Sequence, residues 1–318
     1  MDNKLTIMYI RVSENCNSRC FMCHYAGTND SYNITLKQYH KILNHMQKNN
    51  YKMLRFTGGE PLLHKNIIKM IKEAKEINLK TSIITNGYLL PKKVNKLIEA
   101  GLDECIISLD GSSSFIHDKL RNFPGCFNNI IEGIKKLKEK NILVRVNTVV
   151  SGLNIHDMVN IYKLLKELKV DQWSIIPVKY KMNIWPEDSE KYYQEFIIAT
   201  KKEEGLKFLG YSKTFAGATK KEIENTFKNN LKMHSQNRCQ VIEHVRFYIP
   251  DKNLLVPCNC VAHRLKEIPF KIDEDFEKGC LEIKEWLKEN SINCTGCEPL
   301  NVYINDHPEI MQEEEILY

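Results

Sequence analysis

The sequence predicts an α/β fold with parallel strands, and three observations predict it. From residue 6 to about 177, short β-rich runs alternate with amphipathic stretches. The amphipathic stretches place apolar residues every three to four positions, and each unusual polar signature falls just after a strand candidate. The strand candidates are Thr6–Val12, Met53–Thr57, Thr81–Thr85, Glu104–Leu109, Val144–Val150 and Gln172–Val178. The helical patterns are Leu36–Lys48, Asn66–Ile77, Lys92–Ala100, Phe127–Lys140 and Ile155–Leu168. In the first, Leu36, Tyr39, Leu43 and Met46 recur at helical spacing; Pro91 lies near the start of the third and Gly101 closes it. Such alternation implies βαβ units with right-handed crossovers, whose ligands gather where the strands end. Accordingly, Cys16 follows the first strand, Gly58-Gly59-Glu60-Pro61 the second, Asn86-Gly87 the third and Asp110-Gly111 the fourth.

Beyond Pro177 the pattern changes. Residues 187–238 are polar, lysine-rich and mainly helical in pattern, which predicts a last helix and a connector. Val245–Ile249 and Leu254–Pro257 read as a hairpin around residues 250–253, and a helix over Leu281–Glu289 leads into Cys294 and Cys297. The expected division is therefore 1–200 for the α/β domain, 201–238 for a connector and 239–318 for a small C-terminal domain.

The chain has 318 residues, 42% of them hydrophobic, enough for a full core plus an appendage. Lys+Arg exceeds Asp+Glu by 46 to 40, a net charge of +6. That balance favours an anionic substrate, although lysines interleaved with acids on helix faces give the same total. No basic stripe interleaved with aromatics points to nucleic acid. No run reaches the roughly 18 apolar residues of a membrane span, and MDNKLTIMYI lacks a signal peptide's apolar core. A cytoplasmic location is expected.

Of the eleven cysteines, three lie within residues 16–23 and six within 239–297, with Cys105 and Cys126 between them. An odd total in a reducing compartment disfavours disulfides, and thiolates gathered at two ends point to metal sites. Soft sulfur ligands narrow the metal to zinc, copper(I) or iron–sulfur. Cys16-x3-Cys20-x2-Cys23 has the wrong spacing for ordinary zinc, which draws on two separated pairs. A 4Fe–4S cube held by three cysteines leaves one iron open.

At this point the chain resembles the radical S-adenosylmethionine (SAM) superfamily. CNSRCFMC carries that family's Cys-x3-Cys-x2-Cys motif, and TGGEP at 57–61 its GGEP segment. SLDG at 108–111 and HDKLR at 117–121 are similar to the subset with C-terminal SPASM or twitch cluster domains. The resemblance implies a partial (β/α)6 TIM-like barrel with a shortened, twitch-like auxiliary domain. It also implies that SAM chelates the open iron, that one electron cleaves it, and that the 5′-deoxyadenosyl radical takes a substrate hydrogen atom. In those roles Gly58 and Gly59 would let backbone approach the methionine moiety, Glu60 would accept from its ammonium, and Pro61 would stiffen the loop. Ser108 and Arg121 would grip its carboxylate, and Asn86 and Asp110 would reach the ribose or amino-acid end. Arg121 has a structural alternative, pairing with Asp110 or Asp118. Met22 stands where the family often has an aromatic residue, so adenine would pack on a thioether.

The pattern Cys239-x18-Cys258 followed by Cys294-x2-Cys297 is similar to the twitch arrangement, which implies one auxiliary 4Fe–4S cluster on these four; a four-cysteine zinc site is the rival. Cys260, beside Cys258, is a candidate hydrogen-atom donor, whereas Cys105, Cys126 and Cys280 read as small buried apolar residues. Two outcomes stay open: oxidation through the auxiliary cluster, as in a cyclitol dehydrogenase, or epimerisation through a cysteine. Candidate bases are His117, Asp118, Arg145 and His244. A first strand at residue 6 leaves no room for a preceding peptide-recognition domain and favours a small molecule such as a sugar, cyclitol or nucleotide-linked sugar. Peptide modification is the alternative, and a non-catalytic iron–sulfur carrier a remote one. The family implies flavodoxin or ferredoxin as electron donor.

Overall fold

A computed structural model describes residues 7–23, 32–178, 188–201, 207–208, 245–249 and 254–256. The described residues fall into two compact units, and the division passes through one strand, Lys80–Thr85. One unit holds residues 7–15, 32–82, 245–249 and 254–256; the other holds 16–23, 83–178, 188–201 and 207–208. Cys239, Cys258, Cys260, Cys280, Cys294, Cys297 and His244 lie outside the described residues.

In the first unit, β1 (Ile7–Ser13) is nearly continuous in apolar residues, as a strand covered on both faces must be. It leads to α1 (Leu36–Lys48), β2 (Met53–Gly58), a 3-10 turn (Pro61–Leu63), α2 (Ile67–Glu76) and the start of β3 (Lys80–Thr85). A capping box starts α1: Gln38 N–H donates to Thr35 Oγ1 at 3.2 Å, and Thr35 N–H donates to Gln38 Oε1 at 3.0 Å. The helix buries Tyr39, Ile42, Leu43 and Met46, and the Tyr39 ring meets Phe56 of β2. β1 pairs in parallel with β2 from Ile7↔Met53 to Arg11↔Thr57, then shifts register so that Ser13 meets Gly58.

The second unit contains the end of β3, α3 (Leu90–Glu99), β4 (Glu104–Ser108), α4 (Ser114–Arg121), α5 (Cys126–Glu139), β5 (Leu143–Val150), a 3-10 turn (Ile155–Asp157), α6 (Met158–Glu167), β6 (Gln172–Pro177), α7 (Ser189–Lys201) and β7 (Lys207–Phe208). Strands β4 to β7 pair successively and in parallel. Trp173 of β6 identifies the helix-covered face. Its ring stacks on Tyr162 of α6, meets Phe196 of α7 edge-on, and its Nε1–H donates to Thr148 Oγ1 at 2.9 Å. By strand alternation the opposite face of β4, β5 and β6 carries Glu104, Ser108, Arg145, Asn147, Gln172 and Ser174. Ile106, Leu143, Val149 and Ile176 alternate onto the same face, which is still the more polar of the two, since the helix-facing side is apolar apart from Thr148.

The first six strands lie within one residue of the sequence expectation, and the fold class is the expected α/β one with a partial (β/α)6 TIM-like arrangement. Two elements were not expected: α4, which is short, and β7, which has two residues. In the first unit, β8 (Val245–Ile249) and β9 (Leu254–Val256) form the expected antiparallel hairpin. This hairpin does more than fold on itself, because β8 also pairs in parallel with the second edge of β1, from Ile7↔Val245 to Ile10↔Tyr248. Among the described residues no helix is long and apolar enough to cross a membrane.

On the polar face, Arg145 Nη2 lies 2.9 Å from Glu104 Oε1, and both side chains are buried. Removing one partner strands a buried charge. Glu104→Ala is therefore expected to lower unfolding free energy by about 3 kcal/mol or more, measured by denaturant titration.

Candidate functional site

In the first unit, the segment leading out of β1 is clamped from both sides. Ile34 N–H donates to Val12 O at 2.9 Å and Glu14 N–H to Tyr32 O at 3.2 Å. From the GGEP turn, Gly59 N–H donates to Ser13 O at 2.7 Å and Glu60 N–H to Asn15 O at 2.8 Å. This explains both glycines. Gly58 has φ +151°, and a Cβ there would lie 2.2 Å from Ser13 O; at Gly59 it would lie 2.4 Å from Asn15 O. The close approach they permit in this unit is to the chain's own backbone. Glu60 is fully buried, with Oε1 accepting from Leu62 N–H at 2.9 Å, so its carboxylate caps the 3-10 turn that Pro61 begins. The ammonium-accepting role expected of Glu60 thus falls on a side chain already engaged within its own turn.

In the second unit, Cys20 is buried, Cys16 half-buried and Cys23 exposed. Asn86, after β3, donates through Nδ2 to Asn17 Oδ1 at 2.7 Å and, more distantly, to Cys16 Sγ at 3.9 Å. Its Oδ1 accepts from Tyr88 N–H at 3.0 Å. Arg121, ending α4, directs Nη1 to Cys20 Sγ at 3.7 Å and Nε to Asp110 Oδ2 at 2.5 Å. Burial works against the Arg121 charge, but Asp110 and the Cys20 sulfur more than offset it and hold the guanidinium firmly protonated. Asp110, expected at the cofactor, is fully buried, and its other oxygen accepts from Val149 N–H at 2.8 Å. Both oxygens serve the protein, so Asp110 positions Arg121, and the structural alternative of pairing with Asp110 is the one realised. Ser108 lies half-buried at the end of β4, directly opposite Asn147.

The loop carrying Asp110 is fastened by three further residues, of which the sequence singled out only His117. Asn154 donates to Asp110 O and Val149 O, each at 2.9 Å, and Asp157 accepts from Ser112 N–H and Oγ–H at 2.6 and 2.7 Å. His117, fully buried, accepts from Asp110 N–H through Nδ1 at 3.0 Å. Burial, and then the nearby Arg121 cation, lower the His117 pKa to about 3, so it is neutral at physiological pH. Three of the four candidate bases are thereby placed in structural roles. His117 holds the loop, Asp118 accepts from Gly125 and Phe127 N–H at the start of α5, and Arg145 pairs with Glu104.

Among the described residues, no three Cys, His, Asp or Glu side chains close around a single ion. A four-iron cube, where each thiolate meets a different iron, asks for a wider spacing. The donor set fits that group: three soft sulfur donors within eight residues, with N–H groups directed at two of them.

Two predictions follow from these contacts. Gly59→Ala would drive a Cβ into backbone and should destabilise the fold by about 2 kcal/mol or more, read as a lower unfolding midpoint. His117 is neutral when folded and titrates near 6.5 when unfolded, so the unfolded chain binds the extra proton between those values. Stability should therefore fall as pH drops below about 6.5, by roughly 1.4 kcal/mol per pH unit from this group. His117→Asn, which retains an acceptor, should flatten that dependence in denaturant titrations at pH 7, 6 and 5.

Comparison with known proteins bears on the same residues. The chain is 28% identical over 171 residues to the AdoMet-dependent heme synthase of Methanosarcina barkeri, covering 53% of this chain and 49% of that protein. It is 32% identical over 193 residues to the probable GTP 3′,8-cyclase of Methanocaldococcus jannaschii, covering 57% and 64%. The match thus spans about half to two thirds of these relatives' length. Streptococcus suis SuiB bound to precursor peptide SuiA superposes with a TM-score of 0.70 at 16% identity, over 99% of this chain and 74% of that one. That likeness bears on the fold. Residues 10–165, which carry the three cysteines, the GGEP turn and the Asp110–Arg121 pair, match the Radical SAM superfamily.

Proposed function

We propose that the chain reductively cleaves SAM and abstracts a hydrogen atom from a small polar substrate, a sugar, cyclitol or nucleotide-linked sugar. Cys16, Cys20 and Cys23 would hold the 4Fe–4S cluster. The observation that carries this reading is that Asn86, just after β3, and Arg121, ending α4, direct N–H groups at the sulfurs of Cys16 and Cys20. When bound, cluster and SAM supply the 5′-deoxyadenosyl radical. The chain's own part is to orient the thiolates through Asn86 and Arg121, to keep Arg121 aimed through Asp110, and to hold the GGEP turn against residues 13–15. Gly58, Gly59, Glu60, Pro61, Asn86, Ser108, Asp110 and Arg121 are the proposed cofactor-site residues, with Asp110 acting through Arg121. The polar face bearing Ser108 and Asn147 supports a polar substrate, and the +6 net charge supports an anionic one.

The reading extends to an auxiliary 4Fe–4S cluster on Cys239, Cys258, Cys294 and Cys297 in a twitch-like domain over 239–318, after a barrel over 1–200 and a connector over 201–238. The fate of the substrate radical is then oxidation through that cluster or epimerisation with Cys260 returning hydrogen. A cytoplasmic location with flavodoxin or ferredoxin as reductant belongs to the same proposal. Peptide modification is the second reading. It is favoured by a solved relative bound to a precursor peptide and by two exposed apolar side chains beyond β4 and β5, Phe115 at 80% and Leu153 at 61%.

Iron and acid-labile sulfide are expected at about eight irons per reconstituted chain, falling to about four in the Cys16/Cys20/Cys23→Ala variant. That variant should lose 5′-deoxyadenosine formation from SAM; retained formation would overturn the ligand assignment. About four irons falling to none would remove the auxiliary cluster and with it the oxidative route.

A further inference from the structure

We propose that Ser18 is a positioning residue that, with Arg121, raises the reduction potential of the cluster by donating a hydrogen bond to the Cys20 thiolate. This rests on the reading that Cys16, Cys20 and Cys23 hold that cluster. The three sulfurs stand in unequal surroundings. Ser18 Oγ lies 3.0 Å from Cys20 Sγ, and Arg121 Nη1 lies 3.7 Å from the same sulfur. Cys16 receives a longer contact from the neutral amide of Asn86 at 3.9 Å, and Cys23 is exposed. Cys20 is 6% exposed and Ser18 2%, so water screens their contact poorly.

Ser18 Oγ is also 3.0 Å from the carbonyl oxygen of Arg121. One hydroxyl proton therefore has two acceptors in reach. A cysteine that ligates iron is a thiolate, which accepts and cannot donate, so within the Ser18–Cys20 pair the hydroxyl is the donor. The charged sulfur is the stronger acceptor, and the proton goes to it in preference to the neutral carbonyl. A donor on a ligating sulfur withdraws charge from it and favours the more negative, reduced cluster, which raises the potential. The guanidinium acts in the same direction, and the fully buried Asp110 keeps it aimed. Ser18 thus joins Arg121 in selecting Cys20, the most enclosed of the three ligands.

The test is an EPR-monitored redox titration of the full reconstituted chain, with and without SAM. The signal that responds to SAM reports the three-cysteine cluster. Ser18→Ala should titrate at a lower potential than wild type, with a smaller reduced fraction at a given poise and unchanged iron content. Ser18→Thr, which keeps the hydroxyl, should titrate with wild type. Ser18→Cys, a weaker donor, should shift in the same direction as alanine but less. Identical potentials in wild type, Ser18→Ala and Ser18→Cys, at equal iron content, would overturn the inference while leaving the cluster assignment intact. A wild-type protein that loads iron but shows no SAM-responsive signal would instead remove the cluster reading, and this inference with it.

Discussion

A carboxylate with no exposure to water sits at the end of β4, and the arrangement of the second unit's candidate site follows from its compensation. Asp110 meets the Arg121 guanidinium with one oxygen and the Val149 amide with the other. Breaking such a pair by removing one member leaves an uncompensated buried charge, a far larger penalty than the pair's net gain. The pair therefore fixes the loop after β4, the end of α4 and the direction of the guanidinium together. Asn154, Asp157 and His117 hold the same loop through its backbone, so Asp110 does not bear the constraint alone.

The two motifs obtain rigidity by different means. The GGEP turn uses backbone: two glycines without Cβ atoms let amides reach Ser13 O and Asn15 O, and Asn15 is the residue before Cys16. The cysteine loop uses side chains: Asn86 through Asn17 and Cys16, and Arg121 and Ser18 through Cys20. Backbone latches tolerate little substitution, whereas side-chain contacts admit graded change, which makes the second set the place where cluster properties can be adjusted.

Much of this was legible in the sequence because strands and amphipathic helices leave different local patterns. β1 to β6 were read as short β-rich runs, and α1 was read from the spacing of Leu36, Tyr39, Leu43 and Met46. α4 was not, since only His117 and Leu120 of its eight residues are buried and no stripe emerges. The hairpin of β8 and β9 was legible from its apolar runs; the pairing of β8 with β1 was not, because strand order is not encoded locally. Asn154 carried no signal because its partner Asp110 stands 44 residues away, and Ser18 carried none because its contact with Cys20 depends on how the loop folds. His117 carried a misleading one, for a histidine beside a charged motif suggests proton transfer until its burial is known.

The pairing of β1 with β8 has a consequence for synthesis. β1 leaves the ribosome well before the strand that pairs with its second edge, which begins at residue 245. At about 5–20 residues per second, more than two hundred residues of translation separate the two, on the order of ten seconds or longer. Throughout that interval a nearly all-apolar strand has one ladder of amides and carbonyls without its final partner, which is the template for pairing with another chain. β1 is thus open to misassembly until β8 is made, and translation pausing or truncation before residue 245 prolongs the exposure.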